Sequence, residues 1–311
     1  MLKYILRRIL QIIPTLIGVS FLSFSLLYVF PGDPAELIVM INSGVEPSPE
    51  MVEKFRVEAG LDKPLIVQYI NWLSKVIKGD FGTSWSTGEP VIEEIAGRFP
   101  ASAQLFFSTF LISVAFAFLL GIIAALYRDK AIDHICRFWS LIGISIPSFW
   151  LGLMLIWVFS VHLHLLPAFG YGTLKHAILP VITWSVSFMA IKARFIRASL
   201  LDALNQDYIL TARAKGLSEK TIVFRHALRN ALIPVVTYLS LSMSHLIVGS
   251  VMVEVVFAWP GLGSLLVESV FKRDFPVVQA LVLLSAVIFT ITNLIVDILY
   301  AVIDPRIRYG D

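Results

Sequence analysis

What this sequence has little of decides its class. It carries a single cysteine, Cys136, so it forms no disulfide within the chain. Charged residues make up 15% of 311, where soluble domains carry about 25%. The distribution of the apolar residues excludes one large water-soluble core. Asp, Glu, Lys and Arg are absent from Ile9–Gly32, Ala101–Tyr127, Phe138–Val161, Ala231–Val253 and Phe275–Val296, each at least 22 residues long. About 20 such residues span the bilayer hydrocarbon as a helix. The runs lack the period-two alternation of barrel strands, which leaves helices as the spanning form. No G-x-x-x-x-G-K-[ST] occurs, which removes a P-loop phosphate cradle. No G-x-S-x-G occurs either, so there is no hydrolase nucleophile elbow.

A sixth segment is weaker. Ala177–Ile191 holds 15 uncharged residues, and extending it to Ala198 takes in Lys192, Arg194 and Arg197. Long basic side chains at a span's end are expected to snorkel to the headgroups. Counting this segment keeps the strongly basic regions on one side. The expectation is an all-α membrane protein with six transmembrane helices. Lys3, Arg7 and Arg8 precede the first apolar run as in a signal peptide. That run is 24 residues, longer than such a peptide's apolar core, and leads into Pro31-Gly32-Asp33-Pro34, so it reads as a retained span. With the N-terminus inside, 16 Lys and Arg lie on the inner side against 3 in the short outer loops. Both termini and Cys136 are therefore expected in the cytoplasm.

Three segments follow: 1–32, the N-terminal end and first span; 33–100, a long outer loop; and 101–311, five further spans. The outer loop has 6 basic and 11 acidic residues. Ser48, Pro49 and Gly60 mark the cap, first turn and stop of a helix. Leu65, Ile66, Tyr69, Leu73, Val76 and Ile77 form a helical stripe, and "PVIEEIAGRF" reads as a third short amphipathic helix. Packing of these stripes against the chain's own spans is expected.

Polar residues inside the runs are sparse. His245 lies in the fifth, and Asn293 and Asp297 share a face near the end of the sixth. An ion-coupled transporter wants acids near the midplane, and Asp297 lies too close to the span's end. His162, His164 and His176 are candidates for a nickel or zinc site. Residues two apart do not share a helical face, so interfacial loop histidines are the better reading. Pro147, Pro180 and Pro234 are candidate bends.

The stretch "DYILTARAKGLSEKTIVFRHALRNALIP" is polar and basic between two apolar runs. It reads as a helix ending at Gly216, a tight turn, and a second helix capped by Ser218. Ala212 and Gly216 are four apart and give a small-residue face for another surface. A DNA-binding helix-turn-helix is disfavoured, because spans tether both ends within a few residues. The positive-inside rule accounts for the charge alone. The helix pair reads as a docking site for a cytosolic protein.

"TARAKGLSEKTIVFRHALRNALIPVV" resembles the cytoplasmic coupling loop of ATP-binding-cassette importer permeases, more narrowly those of the dipeptide, oligopeptide and nickel family. "MLKYILRRILQIIPTLIGVSFLSF", "PGDPA", "GLDKPLIVQYINWL", "GDFGTSW", "GISIPSFWLG", "VEVVFAWPGLG", "KRDFPVVQA" and "DPRIRYG" extend the resemblance along nearly the whole chain. One departure is the missing leading Glu of the general motif: Leu210 and Thr211 precede Ala212. The resemblance implies a type I importer permease fold with a coupling loop at 199–232. It implies ATPase docking by Tyr208, Thr211, Ala212, Arg213, Ala214, Lys215, Gly216 and Leu217. Pro147, His245 and Glu254 become candidates for the substrate path or its gate. The chain itself would be no enzyme and would bind no cofactor, with ATP and Mg held by two ATPase partners. A second homologous permease, an extracytoplasmic substrate-binding protein and membrane lipid complete the implied assembly, in a bacterial or archaeal cytoplasmic membrane, without nucleic acid. The short link "HLHLLPAFGYGTLKHAILP" resembles that of nickel and glutathione types, so the implied cargo is short peptides or nickel. An ion-coupled secondary transporter and a non-transporting membrane scaffold remain as alternatives.

Overall fold

The computed structural model describes residues 2–29, 32–43, 46–248 and 250–303. Helices dominate, and the β feature among the described residues is one isolated antiparallel bridge, Thr83 with Pro90. The helices are α1 Leu2–Val29, α2 Pro34–Ser43, α3 Pro49–Ala59, α4 Leu65–Ile77, α5 Val91–Leu126, α6 Ala131–Ser145 and α7 Ser148–Leu155, the last continuing as π-helical turns to His162. After α8 Leu174–Leu204 and α9 Asp207–Ala214 come α10 Glu219–Thr221, a π-helical stretch Ile222–Ala227, and α11 Leu228–Val248. The chain continues with α12 Val251–Val256, α13 Leu262–Phe271 and α14 Phe275–Ile303.

Among the described residues four helices are long and apolar enough to cross a membrane: α1 over Leu10–Tyr28, α5, α8, and α14 over Phe275–Ile298. A fifth is reached if α6 and the helix Ser148–His162 count as one broken span. The bend expected at Pro147 is present in the run Phe138–Val161: the two pieces meet at 103°. The cause is local. Pro147 forces Ile146 out of the helical region, to φ −80° and ψ 123°, and then serves as the N-cap of α7. The run Ala231–Val253 is likewise divided between α11 and α12. The weak segment Ala177–Ile191 gains strength, because α8 carries it in 31 helical residues with Pro180 inside. "PVIEEIAGRF" is not a separate short helix but the first turns of α5, which continues through Pro100.

Contacts divide the chain into two compact units, a different partition from the three sequence segments. One unit is Leu2–Pro100 with Gly261–Ile291, and the other is Ala101–Pro260 with the chain from Thr292. In the first, Ser48 and Gly60 cap α3 as the sequence implies, with Gly60 at φ +70°. α4 meets α1 through Tyr69 and Trp72 against Phe21 and Phe24, while Leu65, Ile66 and Ile77 of the expected stripe are exposed. Ser20 Oγ and the Tyr69 hydroxyl are 2.7 Å apart, and Tyr28 donates to Gln68. The motifs "GDFGTSW" and "KRDFPVVQA" meet at Asp274, whose buried carboxylate accepts from Ser84 Oγ (2.5 Å) and the backbone N–H groups of Trp85 and Ser86 (3.1 and 3.2 Å). Trp85 packs on Phe275, while Val91 and Ile95 pack with Leu265, Val277 and Leu281.

The second unit is organised around α8. Apolar lipid gives helices no hydrophobic reason to associate, so close backbone approach at small residues is needed. Gly121 of α5 supplies it: a Cβ there would lie 2.8 Å from Ala193 O and from the Ile196 side chain. Gly143 of α6 faces Val186 and Ala190, and Gly152 of α7 faces Val256 and Phe257. Gly121→Ala should therefore lower the thermal unfolding temperature of the purified protein, at a cost of about 1–3 kcal/mol for overpacking. Gly18→Ala, where nothing lies within 4 Å, should leave the temperature unchanged.

Candidate functional site

The basic stretch folds as a compact helix pair. Residues 199–204 belong to α8, and Gln206 starts α9. At the end of α9, Gly216 turns the chain at φ +72°, with its N–H on Arg213 O and the Leu217 N–H on Ala212 O. Ser218 then caps the next helix through the Thr221 N–H. Across the turn Arg213 grips Glu219 with two bonds, 2.8 and 3.3 Å. That hydrogen bond holds the Glu219 carboxyl below its ordinary value and Arg213 above its own. A depressed carboxyl keeps its pairing at neutral pH and loses it only as pH falls through the folded-state value.

The position of Ala212 corrects the expected docking face. Ala212 is 7% exposed and lies with Ile209, Ile222, Ala227, Ala231, Leu200 and Ala125 in one core. Ile209 and Ala212 are three apart, so they share the face of α9 that packs on the π-helical stretch Ile222–Ala227. A small residue there lets the helix sit close to its support. The solvent-facing side carries Tyr208, Leu210, Thr211, Arg213, Ala214, Lys215, Gly216 and Leu217. Beside this pair lies a cleft of about 430 Å³ lined by Phe195, Ser199, Asp202, Tyr208, Asn230 and Pro234, among others.

The expectation that Lys192 and Arg197 snorkel is also corrected. Arg197 turns to Asp133, at the start of α6, with Nε 2.7 Å from Oδ1 and an Nη 2.5 Å from Oδ2. The Asp129 N–H adds a third bond to this buried carboxylate. Lys192 is 1% exposed, and its Nζ lies 3.2 Å from Ser113 Oγ and over the rings of Phe110 and Phe188. Composition located these cations, but only the meeting of α5, α6 and α8 reveals their partners. Asp133, one of two acids in the basic stretch 128–137, was the available signal for the Arg197 pair.

The remaining candidates separate. Glu254 is fully buried on α12 and accepts from Ser102 Oγ at 2.8 Å. In the same motif Trp259 is buried, donates its indole N–H to Ala101 O, and meets Tyr171 edge-on. Pro147 forms the break before α7. His245 lies in α11, with its side chain outside the described residues. His162 stacks on Trp157, His164 Nδ1 lies 3.0 Å from Ser160 O, and His176 Nδ1 lies 2.7 Å from the Thr173 hydroxyl. No group of three metal-ligating side chains is assembled among the described residues.

Comparison with known proteins assigns this architecture. Residues 117–309 match the binding-protein-dependent transport system inner membrane component, and residues 1–106 match the N-terminal region of that membrane component. The chain is 47% identical over 309 residues to the glutathione transport system permease protein GsiC of Escherichia coli strain K12, covering 99% of this chain and 100% of that protein. The GsiC of Salmonella typhi is 46% identical with the same coverage. Among solved structures, an amino acid ABC transporter crystallised with histidines has a TM-score of 0.56 at 15% identity, covering 67% of this chain and 94% of that one, which supports the fold.

Asp133→Asn should destabilise the protein by on the order of 3 kcal/mol, because it leaves the Arg197 charge without its counter-ion. Arg197→Met in the Asp133→Asn background should recover part of that loss. Thermal unfolding of the single and double variants in one detergent checks both.

Proposed function

The chain belongs to the family of binding-protein-dependent transport system inner membrane components, and on that premise we propose that it imports small peptides of the glutathione class. As a membrane-embedded permease component of an ABC importer it is a transport subunit. The cargo proposal rests on one observation, the end-to-end similarity to glutathione permeases. Nickel gains nothing from His162, His164 and His176, each of which has a local partner.

The assembly follows from what the chain needs. It has no P-loop, so ATP and Mg sit on two ATPase subunits that press on the exposed side of α9 and the Gly216 turn. A second, homologous permease and an extracytoplasmic binding protein complete the importer. The proposed topology is six spans with both termini in the cytoplasm and 33–100 outside. A push on α9 passes through Ile209 and Ala212 into the core shared with Leu200 of α8 and Ala231 of α11. Closing of the ATPase pair on ATP therefore moves α8 and α11, and the pathway alternates between two states that the nucleotide biases. The bend at Pro147 gives α6 and α7 separate axes along which to respond.

Gly216→Val places a β-branched residue at positive φ, where strain costs about 1–3 kcal/mol, and widens the docking surface. With Leu217→Asp, it should abolish ATP-dependent uptake at normal membrane abundance and weaken ATPase co-purification. Ala212→Asp should behave differently: it buries an unpaired charge in the chain's own core, so abundance itself should fall. Normal uptake by both Gly216→Val and Leu217→Asp, with the ATPases bound, would remove the docking role.

Topology has its own test. In intact cells Cys136 should resist an impermeant thiol reagent, and Lys78→Cys in a Cys136→Ser background should react. Ser84 is unsuitable as a reporter because it is buried against Asp274. The opposite labelling pattern would invert the proposed orientation.

A further inference from the structure

Lys192 is the group that nothing in the proposed coupling uses. Its partners are a single hydroxyl and two aromatic faces. The hydroxyl is Ser113 Oγ at 3.2 Å, and the rings of Phe110 and Phe188 lie 5.4 and 5.0 Å from Nζ. No carboxylate among the described residues pairs with it. Its depth makes this costly. Ser113 stands near the middle of the charge-free run Ala101–Tyr127, so the ammonium is held near the middle of the apolar layer. An ionisable group at such depth marks a functional site unless it is paired.

The same helix contact shows a second kind of unused polarity. The Thr109 hydroxyl is buried and without a hydrogen-bond partner. Thr109 is one turn from Ser113 on α5, so the two share a face. Ser185 and Lys192 are seven apart on α8, so they too share a face. Ser185 adds another hydroxyl, donating to Thr109 O at 3.3 Å. An orphaned hydroxyl normally costs stability, and a packed interface of two apolar helices has no structural need of it. Together they form a polar track with one cation and no anion.

We propose that Lys192 is a cargo-selecting cation that binds a carboxylate of the passing peptide, with the Thr109 and Ser113 hydroxyls as its neutral companions. This rests on the peptide reading given above. Every unmodified peptide carries a C-terminal carboxylate, and glutathione carries two. In the structure described, the aromatic rings and Ser113 hold the ammonium without an anion, which cation–π attraction makes tolerable. The backbones of α5 and α8 need not part, since Gly121 keeps them in contact. Phe110 and Phe188, which cover Nζ, are only half-buried, and the assignment requires rotation about the lysine's own side-chain bonds to carry Nζ past them. No covalent step is involved. The ammonium exchanges a hydroxyl and two ring faces for a charge-assisted hydrogen bond.

The test uses the full importer, with both permeases, both ATPases and the binding protein, in proteoliposomes. The probes are a labelled glycine-rich tripeptide and its C-terminally amidated form. Lys192→Met should raise the KM for the free-acid peptide at least about tenfold, the loss expected of one charge-assisted contact. It should change the KM for the amidated peptide less than about twofold, and Lys192→Arg should recover much of the free-acid uptake. Thermal stability of the Met variant should be unchanged or raised, because replacing a buried charge by an apolar side chain is often stabilising. An equal loss for both peptides, or no loss for either, would overturn the assignment. Failure of the wild-type importer to take up either peptide while it hydrolyses ATP would instead overturn the peptide reading itself, and this assignment with it.

Discussion

The structure of the α8-centred unit depends on how closely other helices approach α8. Lipid offers no apolar driving force for helix pairing, so contact has to come from surfaces that fit. Gly121 sets that fit for α5, since even one methyl group would meet the backbone of Ala193. Gly143 does the same for α6 against Val186 and Ala190. With those notches in place α8 can hold α6 at Asp133, α5 at Ser113 and α9 through Leu200. The C-terminal end of α8 leads into the basic helix pair, and its interior carries the buried cation.

Two kinds of buried charge serve different ends. Asp133 and Arg197 are mutually satisfied and bidentate, a fixed strut between the start of α6 and α8. Such a pair adds little net stability over apolar residues, but it specifies which turn of α8 faces α6. Lys192 has no such partner and is held by weaker means. A strut should survive the transport cycle, whereas a cation without a counter-ion is available to anything that brings one.

Much of the fold was legible in the sequence because lipid restricts the choices so severely. Charge-free runs near 20 residues can only be helices, and Ser48, Gly60, Gly216 and Ser218 fall where capping chemistry places them. What escaped were features set by tertiary contact. Pro147 marks a bend in the sequence, but the length of the run does not give its size, 103°. A basic residue at the end of a span looks the same whether it reaches water or a buried aspartate, so the snorkelling of Lys192 and Arg197 was a reasonable but wrong inference. Ala212 was identified as important for its size, yet its small side chain serves the chain's own core while its neighbours Leu210, Arg213 and Leu217 face outward. Which side of the helix faces outward was therefore not readable from the motif.

The central claim is that the coupling pair and the end of α8 move as one body. Spin labels at Leu210 on the exposed side of α9 and at Ala198 on α8 report it directly, by pulsed dipolar distance measurement in the assembled importer. The account predicts the same distance with and without ATP and Mg, while a label pair spanning the two permease subunits shifts. A nucleotide-dependent change of about 5 Å within the Leu210–Ala198 pair, a one-turn displacement of α9 on its seat, would contradict it.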